Sequence, residues 1–320
     1  MRLNRQKIAP YVFISPFFIV FAAFMIFPLG FSIFLSFQKW SGMGTMEFVG
    51  LKNFIQVLSE YKYFGKTLVV TGILLIFGSF TQHVFAMPLA IVLNSRLIKG
   101  RDFFRTAYFL PVITSAVSVS IIFQNVFSMN YGLLNYLLGF FGMAAVDWVN
   151  WSWSIPIAVS IVINWRWIGW NTLIYLAGLQ SIPDELYESA DIDGASTITK
   201  HLSITIPMLL PIIFFAVTMS IIGGMQVFDE PYVLTSREAS MMGGADNAGF
   251  TSAFYILWLL RRAARYGKGS TVAWLLFILI LIMTFINRGI ITYFQTGRIT
   301  QRAKKQEKEG TEGLAPKVEI

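Results

Sequence analysis

Few side chains in this sequence could do covalent or metal chemistry. Cysteine is absent, and the only histidines are His83 and His201. Disulfides, thiolate metal sites and cysteine nucleophiles are thereby excluded, and two distant imidazoles do not make a metal cluster. Asp191 and Asp193 form a close carboxylate pair but lie on a loop without a metal partner. The stretch Gly267-Lys268-Gly269-Ser270 hints at a phosphate-binding loop. The G-x-x-x-x-G-K-[ST] pattern, however, needs its first glycine where Arg262 stands. No nucleophile elbow or zinc motif is present. The chain therefore reads as neither an ATPase nor a membrane enzyme, and its chemistry is that of recognition.

One constellation suits recognition of a polar solute. Arg166 is flanked by Trp165, Trp167 and Trp170, with Asn164 and Asn171 nearby. Aromatic faces stack on the CH faces of a sugar, and planar hydrogen-bonding groups serve its hydroxyls. Helix–helix packing is the competing reading, and both stay open at this stage. Thr114, Ser115, Ser118, Gln124 and Asn125, with Thr218, Ser220 and Gln226, are further polar residues in apolar surroundings. Ser and Thr commonly bond the preceding turn or a neighbouring helix, so structural roles compete here too. Of this set, Thr114, Ser118, Ser220 and Gln226 join Asn164, Arg166, Trp167 and Asn171 as candidates for a substrate path. His83, beside Gln82, is an intramembrane histidine with the same two readings, and His201 reads as structural.

The elements that must position these residues are set by composition. Of 320 residues, 55% are hydrophobic and only 13% charged, and the mean hydropathy is +0.62. A soluble fold of this length leaves roughly a quarter of its extended surface exposed and has no interior for so much apolar area. The fold class is an all-α polytopic membrane protein. Six spans are expected, near 11–37, 67–94, 106–127, 154–179, 207–228 and 269–290, from the roughly 20 apolar residues that a bilayer demands. The first has an apolar run of 27 residues. That far exceeds the roughly 7–15 of a signal peptide, so it is expected to remain as an anchor. Tyr131–Val146 and Asn247–Leu260 are too short to cross and suit the interface. A central Arg166 costs about 2.5–3.5 kcal/mol, against about 3–6 returned by the ten Ile, Leu and Val residues between Ile155 and Leu176. The fourth span is therefore marginal alone and needs support from its neighbours, with Arg166 facing the bundle interior or a wet cavity.

The net charge of +8 reads as loop cations that hold a topology, with no need for nucleic acid. With the N-terminus inside, the inner segments hold 15 Lys and Arg and the outer ones nine. Both termini are expected in the cytoplasm, although the outer cluster Arg261, Arg262, Arg265 and Lys268 runs against the rule. No expected span contains Asp or Glu, which disfavours an ion-coupled carrier.

The inner loop 181–207 is acidic, with Asp184, Glu185, Glu188, Asp191 and Asp193 against Lys200. Ser181 is a candidate cap, Pro183 suits a first helical turn, and Asp184 and Glu185 favour the positive end of the helix dipole. Leu186, Tyr187 and Ala190 fall on one face. Gly194 stops the helix, and Ala195–Ser203 suits a second short helix before Pro207 and Pro211. The expected form is a two-helix bracket.

The series Glu188-Ser189-Ala190, Asp193-Gly194-Ala195 and Ile204-Thr205-Ile206-Pro207 resembles the EAA loop of ABC importer permeases. Nine residues separate Gly194 from Ile204, as in that pattern; Ser189 and Ile206 are mild departures. Residues 176–183 (LAGLQSIP), 48–54 (FVGLKNF), 132–135 (GLLN) and 228–235 (FDEPYVLT) resemble the sugar-permease branch, the maltose and glycerol-phosphate type, so the likeness covers roughly residues 11–294.

The resemblance implies a type I ABC importer permease architecture. The domains would be an N-terminal tail 1–10, a transmembrane domain 11–294 and a disordered cytoplasmic tail 295–320. Glu188, Ser189, Ala190, Asp193, Gly194, Ala195, Ile204 and Pro207 would couple to a separate ATP-binding subunit, whose closure on ATP moves the bracket. The implied partners are a second related permease chain, two ATP-binding subunits, an extracellular solute-binding protein and membrane lipid, in a bacterial or archaeal cell membrane. ATP and Mg would belong to the ATPase, leaving this chain without a cofactor. A sugar is the implied solute, with a glycerol-phosphate-like polyol phosphate as the alternative left open by Arg166. One departure stands out: Gly243-Gly244-Ala245 lacks the family's proline and is displaced by Ser236–Met242.

Overall fold

In the computed structural model of the protein, residues 5–59, 61–95, 99–235 and 242–312 are described, except for the side chains of 5–8, 61–62 and 294–312. The Ser236–Met242 insertion lies outside this set apart from Met242, as do Arg96 and the end of the tail from 313.

Helix α1 crosses as Ala9–Ser36, with one wide π turn at Ala22–Ile26. A hairpin of β1 (Gln38–Lys39) and β2 (Glu47–Phe48) follows, then α2 (Lys52–Ser59) and α3 (Tyr63–Asn94), which widens to π geometry at Leu75–Phe80. Next come α4 (Arg101–Ile113), α5 (Ala116–Val126), α6 (Leu133–Phe140), α7 (Ser154–Leu179) and α8 (Asp184–Ile192). The chain enters α9 (Ile206–Met225) through a short helix, Thr197–Lys200, and a π turn, His201–Thr205. It ends with α10 (Asp229–Thr235), α11 (Ser252–Arg261) and α12 (Tyr266–Glu312).

Four helical stretches among the described residues are long and apolar enough to cross a membrane: α1, α3, Thr197–Thr235 and the Tyr266–Tyr293 part of α12. The expected third span, 106–127, is not one helix. α4 and α5 meet at 98°. Pro111 removes one amide donor from the last turn of α4, and Thr114 and Ser115 adopt extended backbone. Thr114 Oγ1 donates to the Leu110 carbonyl at 2.9 Å and so satisfies part of the broken ladder.

The expected fourth span is α7, whose Asn, Arg and Trp residues hold its apolar character below that of the other four. Fifteen of its 26 residues are buried, so it is shielded by protein instead of standing in lipid on its own. The short segments expected at the interface hold α6 and α11, of eight and ten residues. The helix that begins as the sixth span continues to Glu312, past the tail boundary expected at 294. Residues 301–309 are Gln, Arg, Ala, Lys and Glu, all good helix formers.

The chain divides into two compact units, Met1–Val69 with Phe250–Ile278 and Val70–Gly249 with Leu279–Ile320. The first unit is knitted by buried polar residues. Asn53 donates to the carbonyls of Ser36 and Gln38 at 2.9 and 2.8 Å, and Thr271 donates to Ser36 at 3.2 Å. Tyr63 stacks on Tyr255 and Trp258.

The second unit has two apolar clusters on α7. One gathers Leu74, Val119, Val159, Val162 and Leu234; the other gathers Ala86, Ala90, Tyr175, Leu176 and Leu209. Lipid offers no hydrophobic drive for helices to associate, so small residues that admit close backbone approach decide the packing. A Cβ on Gly169 would fall 1.7 Å from the Tyr108 carbonyl oxygen of α4, and one on Gly224 would fall 2.4 Å from Ser79 Oγ of α3.

Gly169→Ala is expected to cost about 1–3 kcal/mol through forced separation of α4 from α7, read as a lower thermal midpoint of the purified protein. Gly72→Ala, with open space at its Cβ, is the matched control and should leave the midpoint unchanged or raise it slightly.

Candidate functional site

The larger unit contains a cleft of about 270 Å³ lined by parts of α3, α7, α9 and α10. Arg166, one turn from Gly169 on α7, enters it nearly buried. Its guanidinium Nη1 donates to Glu230 Oε1 at 2.5 Å, and Glu230 is only 4% exposed. An isolated buried guanidinium would cost several kcal/mol, so the carboxylate is what permits Arg166 to sit there. The guanidinium carbon also lies 5.3 Å from the Trp167 ring centroid, a cation–π distance. Arg166 Nε has no partner among the described residues, nor does Asn171 Oδ1, while Asn171 Nδ2 donates to Gln82 Oε1 at 2.7 Å.

Of the residues expected along a substrate path, Arg166, Trp167, Asn171, Ser220 and Gln226 line this cleft. Asn164 does not. Its amide donates to the Phe77 carbonyl and accepts from Thr81 Oγ1 (2.8 and 2.9 Å), so it is glue between α7 and α3. The α4–α5 break keeps Thr114 and Ser118 away from the lining: Thr114 caps α4, and Ser118 is exposed on α5. Trp165 is used for packing, edge-on to Phe123. His83 accepts or donates a 2.7 Å bond with Tyr175 OH and takes the packing role.

The sequence reading missed Ser79, Asp229 and Glu230, all of which line the cleft. Glu230 follows the fifth span, so its sequence position gives no sign that it is intramembrane. The lone Arg166 was itself the available signal that a carboxylate had to arrive from elsewhere.

The bracket is present, with changes in detail. α8 starts after Pro183, and Ser181 caps the other side: its Oγ donates to the Gly178 carbonyl, near the end of α7, at 2.7 Å. Gly194 adopts φ +71°. Its N–H donates to the Asp191 carbonyl and that of Ala195 to the Ala190 carbonyl, the two bonds of a Schellman turn. The second helix starts later than expected, with Ser196 Oγ accepting from the Thr199 N–H at 3.2 Å. It does not end at Ser203 but passes through the π turn directly into α9.

One contact ties α8 to the base of α9 and a second ties it to the short helix. Tyr187 OH bonds Thr205 Oγ1 at 2.8 Å, and Lys200 Nζ bonds Asp191 Oδ1 at 2.6 Å. Tyr187 and Ala190 turn inward, while Leu186 is on the exposed side, because Tyr187 takes the inner position for its bond to Thr205. Glu188, Ser189, Asp193 and Gly194 are exposed, as are the apolar Ile192 and Ile198, at 88% and 71%. Ala195, Ile204 and Pro207 are half-buried.

Residues 84–299 match the family described as "Binding-protein-dependent transport system inner membrane component". The arabinooligosaccharides transport system permease protein AraP of Bacillus subtilis (strain 168) is 36% identical over 289 residues, covering 88% of each chain. The trehalose/maltose transport system permease protein MalF of Thermococcus litoralis is 32% identical over 295 residues, covering 92% of this chain and 95% of its own. A solved chain of a bacterial ABC transporter that imports the acidic polysaccharide alginate shares the fold. Its TM-score is 0.75 at 22% identity, over 91% of this chain and 97% of its own. The chain therefore belongs to the binding-protein-dependent transport system inner membrane component family and is a multi-pass permease subunit of an ABC importer that leaves ATP hydrolysis to another polypeptide.

Proposed function

We propose that this permease passes a neutral saccharide through the α3–α7–α9–α10 cleft and that the 181–207 bracket transmits the ATPase stroke to it. The observation that carries the solute class is the Arg166–Glu230 pair. Among the described residues the charged ones lining the cleft are Arg166, Asp229 and Glu230, so Arg166 is neutralised and a carboxylate remains in excess. A phosphate group finds no free positive charge there, which favours a sugar over a polyol phosphate. Trp167, Trp170 and Phe228 offer ring faces, and Gln82, Asn171, Ser220 and Gln226 offer amides and hydroxyls. The relatives named for arabinooligosaccharides and for trehalose and maltose support the same class.

The coupling reading rests on exposure and connection together. α8 presents Glu188, Leu186 and Ile192 outward for a partner cleft. Its tie to Thr205 leads into α9, which reaches the cleft at Ser220, about 22 Å along the helix axis at 1.5 Å per residue. A force on the bracket thus has an unbroken helix to travel along. The assembly in this reading comprises a second permease chain, two ATP-binding subunits that grip the bracket from the cytoplasm, and an extracellular solute-binding protein. Both termini lie on the bracket's side of a bacterial or archaeal cell membrane.

Uptake by the reconstituted complex, with its binding protein screened against neutral sugars and polyol phosphates, tests the solute. Neutral sugars should be transported, and uptake should stop when ATP is withdrawn while ion gradients persist; transport of polyol phosphates alone would refute the charge argument. Gly194→Pro cannot keep φ +71°, and Glu188→Lys reverses an exposed charge. Each is expected to insert normally yet uncouple ATP hydrolysis from uptake, measured as the ratio of phosphate released to sugar imported. Arg166→Met alone should cost about 3–5 kcal/mol by leaving Glu230 buried and unpaired. The double variant with Glu230→Met should recover most of that loss in the thermal midpoint.

A further inference from the structure

The outer cations that run against the topology rule have no role in the cleft or the bracket. Four of the nine, Lys39, Lys52, Arg265 and Lys268, line one pocket of about 580 Å³ within the smaller unit. Among the described residues Glu47 is the one carboxylate in its lining, and it pairs with Lys39 at 3.3 Å. With Lys39 paired by Glu47, Lys52 and Arg265 bring two uncompensated positive charges to the lining. Lys52 and Arg265 form no ion pair among the described residues. Trp40 also lines the pocket, and its buried Nε1–H has no acceptor among the described residues. Asn53, by contrast, is committed to two carbonyls and serves as scaffold.

Close packing holds the cations together. A Cβ on Gly267 would fall 1.8 Å from the Gln38 carbonyl oxygen, so glycine alone lets the start of α12 lie against β1. The Tyr266 N–H then donates to the Trp40 carbonyl at 3.1 Å, and the two rings lie 5.4 Å apart.

The setting is that of a membrane surface. The pocket lies where the apolar run of α1 ends at Ser36 and that of α12 begins at Tyr266. Trp and Tyr gather at such levels. Beside it α2 is amphipathic with its apolar stripe outward: Leu51, Ile55 and Leu58 are each at least 61% exposed, while Asn53 and Val57 on the opposite face are buried. Phe48 and Met43 of the hairpin region are exposed as well. A solvent-facing helix would show the reverse arrangement, so this face fits acyl chains.

We propose that this pocket holds the phosphate of an anionic phospholipid, with the lipid's glycerol and acyl chains against the Leu51–Ile55–Leu58 stripe. The free Lys52 and Arg265 and the Trp40 indole supply charge and donors to the phosphate oxygens, and the unusual outer cations gain a function. The proposal is independent of the transported solute and of the bracket.

The test uses the assembled importer in nanodiscs of phosphatidylglycerol or of phosphatidylcholine, with retained lipid counted by mass spectrometry after delipidation. The wild type should retain phosphatidylglycerol over phosphatidylcholine by about fivefold or more. The Lys52→Gln/Arg265→Gln variant should lose that preference, with its thermal midpoint in phosphatidylcholine unchanged as the folding control. The single Lys52→Gln variant should fall between them. Soluble glycerol 3-phosphate at millimolar concentration should not displace the lipid. Equal retention of both lipids by the wild type overturns the proposal, and so does an unchanged preference in the double variant. Full displacement by glycerol 3-phosphate would make this a free-phosphate site and overturn the lipid assignment. Retained lipid preference with loss of binding-protein-stimulated ATPase in the double variant would make the surface a protein contact, overturning it as well.

Discussion

A guanidinium carried into the interior of a membrane protein has to be neutralised by the protein, because no bulk water is there to solvate it. Much of the larger unit can be understood from that requirement. Arg166 sits on the helix with the most extensive burial, and its partner Glu230 is delivered by a separate short helix after α9 turns at Gln226–Phe228. Gln124 of α5 holds the same short helix from the other side, donating to the Val233 carbonyl. The pair therefore links α7 to α10, and Gln124 links α10 to the bent α4–α5 element. The cost of desolvating both charges is offset by their contact and by the enclosing packing, which is how a helix too polar to stand in lipid is retained.

The short motifs shared with sugar permeases have physical reasons that the structure exposes. In residues 132–135, a Cβ on Gly132 would collide with the Ser128 and Val126 carbonyls. Asn135 in the same motif accepts from the Val146 N–H and from Trp148 Nε1, which closes the loop after α6. In residues 48–54, Gly50 takes φ +56° and Asn53 ties α2 to the end of α1. In residues 228–235, Glu230 answers Arg166. These positions are clamps, each satisfying a backbone or charged group that would otherwise be buried without a partner.

The bracket combines a fixed inner face with an open outer one. Tyr187 anchors it to the base of α9 and Lys200 ties its two arms together, while the Schellman turn at Gly194 turns the chain between them. Exposed Ile192 and Ile198 are poor choices for a solvated loop and good ones for a surface that is covered in a complex. Continuity of Thr197–Lys200 with α9 through the π turn makes the bracket and the fifth span a single mechanical element. That continuity was hidden in the sequence, where Pro207 suggested a fresh start; proline at the first positions of α9 is tolerated because the wide turn before it asks for no donor there.

Composition alone decided that the chain lives in a membrane, because the apolar excess has no soluble solution. Local chemistry decided where the bracket ends, since a left-handed turn after an acidic helix calls for glycine, and spacing placed the bracket in its family. Even the inward direction of Arg166 was legible, for a lone charge has no other stable place. Its partner was not legible, because 64 residues separate Glu230 from Arg166 and no local rule connects them. The same holds for the division of labour among neighbouring polar residues. Asn164 and Asn171 are two turns apart on one helix and both bond α3, yet only Asn171 lines the cleft. Pro111 hinted at the break in the third span, but not at its 98° angle nor at the close approach of α4 to α7 at Gly169. Helix existence follows from pattern within a segment, whereas pairing, bending and pocket lining follow from contacts between segments, and only tertiary packing settles those.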